Sequence, residues 1–400
     1  MFDSRFACAK VLAIAGASLI ACSSTPPSPP SPQQVVLKRQ KLKSYNEVRI
    51  AARNVALVLA EQLLSRRELT TVQLGPVVSA DSGEIVRSGR DLQTLILLDM
   101  QSLLPAYSIK KLDSRDIGTA WVVNGVIRYE KPSEPSEDAW FKVEFGASTP
   151  DGQVMPVVPI RVNARQFDPT PSRFFQDAPI YLVDGHSRQR STFSMTEGGQ
   201  VSVETRNRFM HTEWALDSAI SAYEAARFEQ AERLFVQLNT ISPGNLIALS
   251  GHYQSLVAQN RLQEAELALA DVVDAGIQER GLSFRLLFRV GSTEFRDDLD
   301  ITSQYQLWLD VIGKRVAITR HCLKVVGHTS PTGGADYNDS LSLRRARRVG
   351  ELLAATAPTV LKSRVTWEGA GSRKNIVGSG SDDAADSVDR RVDFLLHECR

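Results

Sequence analysis

Only four cysteines occur among the 400 residues, and no two are spaced CxxC. A disulfide scaffold needs more cysteines, and a zinc ribbon or dithiol redox site needs that spacing. Neither charge sign dominates: 47 basic and 46 acidic side chains leave a formal net charge of +1. Bulk nucleic-acid binding needs a dense positive surface to displace counterions, so it is excluded. No HExxH, Walker A, GxSxG or dinucleotide fingerprint is present, and the six histidines are scattered. The chain is expected to be non-catalytic, with no metal and no cofactor. After residue 22, no apolar run reaches the roughly 20 residues that a bilayer-spanning helix needs. The best run, Leu92 to Leu104, is broken by Asp99 and reads as an amphipathic helix.

What is present is the balance of an ordinary folded protein: 42% hydrophobic and 23% charged residues. At roughly 100–200 residues per domain, the length predicts two to four domains. The start, MFDSRFACAKVLAIAGASLIAC, has a basic leader (Arg5, Lys10) and a short apolar stretch from Val11 to Ile20. That is a signal-peptide core, too short to span a membrane. It ends in Leu19-Ile20-Ala21-Cys22, which resembles the lipobox of bacterial lipoproteins. The resemblance implies cleavage after residue 21 and lipid attachment at Cys22, with diacylglyceryl and palmitoyl chains. Ser23 in place of Asp resembles a cargo passed to the outer membrane, facing the periplasm. Residues 22–43 continue after Cys22 with SSTPPSPPSPQQ. Proline-rich sequence is stiff and extended, at about 3.1 Å per residue, so this reads as a tether.

Residues 44–185 read as an α/β domain. Val48, Ala51, Val55, Leu59 and Leu63 have helical spacing within a helix over 41–66. Strands are expected at Thr70–Val78, Tyr107–Leu112, Ala120–Tyr129, Phe141–Ala147 and Val154–Val162, with a helix over 89–104 stopped by Pro105. The stretches GRDLQTLILLDMQSLL, DIGTAWVVNGVIRYE and STPDGQV resemble the periplasmic domain of CsgG- and FlgO-type lipoproteins. That family implies a place in secretion or flagellar structures, and related domains activate peptidoglycan synthases. It carries no catalytic signature. Residues 186–210 are polar and Ser/Arg-rich and read as a linker.

Residues 211–280 read as helical throughout, except near Pro243-Gly244. ARFEQAERLFVQL (226–238) aligns with NRLQEAELALADV (260–272), placing Ala231 and Ala265 34 positions apart. That is the tetratricopeptide period. The echo resembles a short pair of such repeats, which implies a concave groove for a partner segment. Two repeats fall short of a free solenoid, so the unit should lean on a neighbour.

Residues 281–400 carry the densest motif. Strands are expected over 285–295, near 322, over 364–369 and at the end, with helices over 305–316 and through LSLRRARRV. Gly327-His328-Thr329, Gly333, Tyr337-Asn338, Leu341-Ser342, Arg344-Arg345-Ala346 and Val349 resemble the peptidoglycan-binding motif of the OmpA C-terminal family. Gly369-x-Gly371 and Asp389-Arg390-Arg391-Val392 extend the likeness. The fold it implies is a βαβαβ mixed sheet with helices on one side. With the other parts, the whole chain is expected to be a multidomain α+β protein.

The ligand the family implies is a peptidoglycan stem peptide, whose diamino acid presents a carboxylate and an ammonium on one carbon. A forked guanidinium suits the carboxylate; the family places it at Arg345. The ammonium needs an acceptor, and the family's acid position here holds Ser330. Losing a charge-assisted hydrogen bond costs about 1.5–3 kcal/mol, or one to two decades of affinity. Three readings stay open. Asp336 lends its carboxylate; the stem carries a different or amidated diamino acid; or the domain binds weakly or not at all. Asn338 is expected to cap its helix. Thr329 completes the triplet, Arg391 is expected near the pocket with Asp389 holding it, and Arg344, Arg347 and Arg348 form a solvated basic face. Cys322 begins one strand and Cys399 follows the last. A disulfide joins them if those strands are antiparallel neighbours; otherwise both are free thiols.

The reading is an outer-membrane lipoprotein that links the membrane to peptidoglycan and recruits a periplasmic protein through the repeats or the N-terminal domain. It can also form a homo-oligomer. The alternative is an accessory or regulatory subunit of a secretion, pilus, flagellar or peptidoglycan-synthase machine, whose OmpA-like domain docks protein instead of murein.

Overall fold

The computed structural model describes residues 43–65, 70–80, 82–130, 137–181, 199–289, 291–297, 300–375 and 389–399. The leader, Cys22, most of the tether and the first half of the expected linker lie outside them. Among the described residues, no helix is long and apolar enough to cross a membrane.

Six strands form the first sheet: β1 (Lys43–Tyr45), β2 (Thr71–Ser79), β3 (Ser108–Lys111), β4 (Trp121–Glu130), β5 (Trp140–Ser148) and β6 (Val154–Asn163). Their order is β1-β6-β5-β4-β2-β3. β2 runs parallel to β3 and β4, while β4, β5 and β6 form an antiparallel meander. Helices α1 (Val48–Leu64) and α2 (Arg87–Leu103) share an apolar core with the sheet. α1 buries Ala51, Ala52, Val55, Ala56, Leu59, Ala60 and Leu63, the stripe its spacing predicts. Asp99, the acid inside α2, is buried and accepts from Arg53 Nη1 at 3.1 Å. A charge survives there because it is paired. A short helix, α3 (Arg173–Gln176), follows the sheet.

The expected linker ends early. Helix α4 (Val203–Glu224) starts inside it, with Ser202 accepting from Thr205 N at its N-terminus. Arg206 is fully buried. Its Nε donates to Ser148 Oγ (3.2 Å), Nη1 to Ile117 O (2.7 Å) and Asn207 Oδ1 (2.9 Å), and Nη2 to Ala120 O (2.7 Å) and Ser148 O (3.3 Å). All five guanidinium donors are thus used, and burial holds the group's pKa down at about 10. From Val203 on, the expected linker is instead a helix pinned to the sheet.

Three more helices follow: α5 (Phe228–Ile241), α6 (Leu246–Ala258) and α7 (Leu262–Gln278). Ala226 and Asn260, 34 positions apart, take nearly equal positive φ of 56° and 58° just before α5 and α7. The backbone therefore repeats with the sequence. Gly251 lets α6 approach the Phe235 ring, which a Cβ there would meet at 2.4 Å. α6 is buried along most of its length. Trp308 Nε1 donates to Tyr253 Oη at 2.8 Å, and Tyr253 donates to Gln304. The side of α6 that carries Tyr253 is thus filled by the chain's own C-terminal part and is not open to a partner.

The second sheet holds β7 (Gly281–Phe284), β8 (His321–Gly327), β9 (Val365–Gly369) and β10 (Val392–Glu398), in the order β7-β10-β8-β9. β8 and β9 are parallel, and β10 is antiparallel to both β7 and β8. Its helices are α8 (Tyr305–Ala317), α9 (Ala335–Thr356) and α10 (Pro358–Leu361). The strand expected over 285–295 is not one. The strand is 281–284, and the rest turns back at Gly291 (φ 65°), with Phe288 bridging to Phe295. Cys322 stands opposite His397, and a disulfide joins Cys322 to Cys399, with Cα atoms 5.0 Å apart.

The N-terminal part is stitched to this sheet. Residues 179–181 lie along the outer edge of β7: Tyr181 N donates to Ser283 O (2.7 Å), and Arg285 N donates to Pro179 O (2.9 Å). Arg285 Nη2 meets Glu84 Oε1 at 2.7 Å, both groups being buried, and the guanidinium lies 4.3 Å from the Tyr181 ring centroid. Burial pushes the Glu84 carboxyl up, against the pull of Arg285 and a bond from Ser82. One apolar core runs from Val78, Phe174 and Ile180 through the helical repeat to Val325 and Phe394.

Candidate functional site

The motif residues gather where β8 ends, β9 ends and β10 begins. Gly327 closes β8 directly beneath α9, where a Cβ would meet Ser342 O at 2.2 Å. Gly371 has φ 54° and allows the turn after β9, which is tied down by Gly371 N donating to Ser342 Oγ at 2.9 Å. These close approaches explain the glycine spacing.

His328 N donates to Arg391 O at 3.1 Å, and Thr329 N donates to Gly371 O at 2.9 Å. Asn375 Nδ2 donates to Thr329 O (3.1 Å), and Arg391 Nη2 donates to Lys374 O (3.2 Å). The 374–375 segment thus bridges Thr329 and Arg391. Both side chains are buried, and within the cluster Thr329 Oγ1 and Arg391 Nη1 have no hydrogen-bond partner. A buried guanidinium nitrogen left orphaned is costly unless something fills it. An anionic oxygen is the natural complement.

Arg391 is held by Asp393. Its Nε donates to Asp393 Oδ1 at 3.0 Å, while His328 Nε2 lies 2.8 Å from Asp393 Oδ2. Ser283 Oγ donates to Asp393 Oδ1 at 2.6 Å. Burial raises the Asp393 carboxyl, but His328, Arg391 and Ser283 outweigh it, and its pKa falls below the ordinary value. Sequence reading missed Asp393. The available signal was an acid inside the apolar final strand, VDFLL.

Asn338 does not cap its helix. α9 begins at Ala335 after Gly334, so Asn338 falls within it and donates to Thr332 O (3.1 Å) and Ser330 O (3.4 Å). It moulds the loop that carries Ser330, which is buried. Asp336 is exposed in the first turn and has no hydrogen bond or ion pair among the described residues. Arg345 is buried on the same helix. Its Nε donates to Ser292 O (2.9 Å), one Nη donates to Arg289 O (3.1 Å), and the group lies 4.8 Å from the Phe288 ring centroid. Arg344, Arg347 and Arg348 are exposed, and Arg347 pairs with Glu351 at 2.7 Å. Among the described residues, no group of three or more His, Cys, Asp or Glu could hold a metal ion.

Solved structures similar to this chain include the periplasmic domain of Helicobacter pylori MotB (19% identity, 30% of this chain, 76% of that one, TM-score 0.25). Others are the peptidoglycan-associated lipoprotein from Burkholderia pseudomallei (23%, 30%, 93%, 0.25) and the cell wall anchor of the T6SS from Pseudomonas aeruginosa (23%, 33%, 97%, 0.25). No curated protein matches the chain. Residues 287–388 match the OmpA family, and the C-terminal part of the chain therefore carries an OmpA-family domain.

Proposed function

We propose that this protein is a non-catalytic outer-membrane lipoprotein, acylated at Cys22, whose C-terminal domain holds a peptidoglycan stem peptide. The observation that carries the reading is the buried, unpartnered Arg391 Nη1, in a cluster that also holds the unpartnered Thr329 hydroxyl. A stem carboxylate satisfies Arg391 Nη1. The OmpA-family match supports murein as its source. Ser330 supplies no charge for the ammonium, so the affinity is about one to two decades below that of an acid at this position.

The test is sedimentation of the full chain with insoluble peptidoglycan. Wild type is expected to sediment, Arg391→Gln to lose at least tenfold in affinity, and Ser330→Asp to gain about tenfold. Wild type remaining in solution, or Arg391→Gln sedimenting as wild type does, would overturn the reading. One observation favours protein docking instead: Arg345 already serves the carbonyls of Arg289 and Ser292. If only Ser330→Asp sediments, the domain has exchanged murein for a protein partner in an envelope machine, and the rest of the chain belongs to that assembly.

A further inference from the structure

We infer that Ser283 and Asp393 are positioning residues through which the docked N-terminal part sets Arg391. The inference rests on Arg391 being the ligand-facing group of the reading above. Its geometry is a continuous line of hydrogen bonds. Tyr181 N holds Ser283 O at 2.7 Å from outside β7. Ser283 Oγ donates to Asp393 Oδ1 at 2.6 Å, across the β7–β10 pair where the two residues stand in register. The same oxygen accepts from Arg391 Nε at 3.0 Å, and the other oxygen faces His328 Nε2 at 2.8 Å.

The line has an outer support. Glu84, on the N-terminal side, pairs with Arg285, two residues beyond Ser283. Arg285 N also holds Pro179 O at 2.9 Å. β7 is the edge strand of its sheet. Without residues 179–181 its outer backbone groups would lose these partners, and an unpaired edge strand frays. Fraying moves Ser283, takes one of the two donors from Asp393 Oδ1 and loosens the hold of Asp393 on Arg391. The N-terminal part thus acts as a brace on the ligand site, and whatever loosens it weakens ligand binding without touching the ligand.

The experiment reads Arg391 directly in the full chain. The ¹⁵N–¹H cross-peak of its Nε, assigned by its loss in Arg391→Lys, reports the bond to Asp393. The variants are Ser283→Ala, Ser283→Thr as the hydroxyl-keeping rescue, and Glu84→Gln as the remote perturbation. Solvent exchange of the Arg391 Nε–H is expected to be at least tenfold faster in Ser283→Ala and Glu84→Gln, and near wild type in Ser283→Thr. Unchanged exchange in Glu84→Gln would overturn the inference, as would unchanged exchange in a folded Ser283→Ala. Peptidoglycan sedimentation run in parallel separates the two claims. If exchange responds but wild type does not sediment, the brace stands and the murein reading fails. If wild type and variants sediment alike with unchanged exchange, the murein reading stands and the brace fails.

Discussion

Replacing Arg285 by methionine tests the joint between the two sheets. Arg285 and Glu84 are both buried, 2.7 Å apart, and 201 positions apart in the chain. Removing one partner of a buried ion pair leaves an uncompensated charge, at a cost of about 3–5 kcal/mol. The lost cation–π contact with Tyr181 adds about 0.5–2 kcal/mol to the gross effect. Removing both charges is different, because packed apolar side chains in place of a buried pair are often neutral. The double variant Arg285→Met/Glu84→Leu is therefore expected to recover most of the loss. Urea unfolding of the full chain at pH 7, followed by circular dichroism, measures both. The pH dependence has a defined sign. Burial raises the folded-state pKa of Glu84, so its contribution is most favourable below the ordinary carboxylate range. That contribution falls as pH rises through the raised value. In Arg285→Met the counter-charge is gone, so the deficit against wild type should widen as pH rises above the ordinary carboxylate range. A double variant as unstable as the single, or a deficit independent of pH, refutes the reasoning.

Cys322→Ser/Cys399→Ser opens a loop with a separation of 77 residues. The expected loss is about 4.5 kcal/mol in the chain-entropy model, seen as a lower melting temperature that reductant no longer shifts. Gly251→Ala pushes a methyl to 2.4 Å from the Phe235 ring; overpacking there should cost about 1–3 kcal/mol in urea unfolding. Residues 281–400 alone lose Glu84 and the 179–181 edge, and should melt below the full chain in a thermal scan followed by circular dichroism. Equal melting temperatures would show that the seam contributes nothing.

Local pattern carried far into this fold. The α1 stripe and the alternation over Phe141–Ala147 were visible because burial on one face leaves a period of 3.6 or 2 in the sequence. Pattern failed where the decisive partner is distant. Arg206 reads as solvated polar chain, because its partners at 117, 120, 148 and 207 are mostly far upstream. The apolar LLFRV reads as a strand, yet Gly291 turns it back and Arg345 takes the carbonyls of Arg289 and Ser292. Nothing in a single sequence pairs Glu84 with Arg285. The candidate site was legible as a motif, since its glycines record close backbone approaches. The roles within it were less so: the duty expected of Asn338 depends on where its helix begins, and the hold of Asp393 on Arg391 depends on how the final strand lies.

The two arginines of the site have divided its work. Arg345 spends Nε and one terminal nitrogen on the turn at 289–292 and covers Phe288, so it ties that turn to α9. Arg391 is gripped at Nε and Nη2 but has Nη1 buried and unanswered. A held guanidinium with one open donor loses little freedom on meeting an anion, which favours binding through reduced ordering cost. On the proposed reading, the stem carboxylate therefore belongs at Arg391, and changes at Arg345 act through the 289–292 turn. The same division bears on Ser330. An acid there would add a negative charge to a cluster in which Asp393 already faces Arg391 Nε. A hydroxyl leaves Arg391 less compensated and so more attractive to a carboxylate, even as it gives the ammonium less. Ser330 thus shifts the balance of recognition from the ammonium toward the carboxylate.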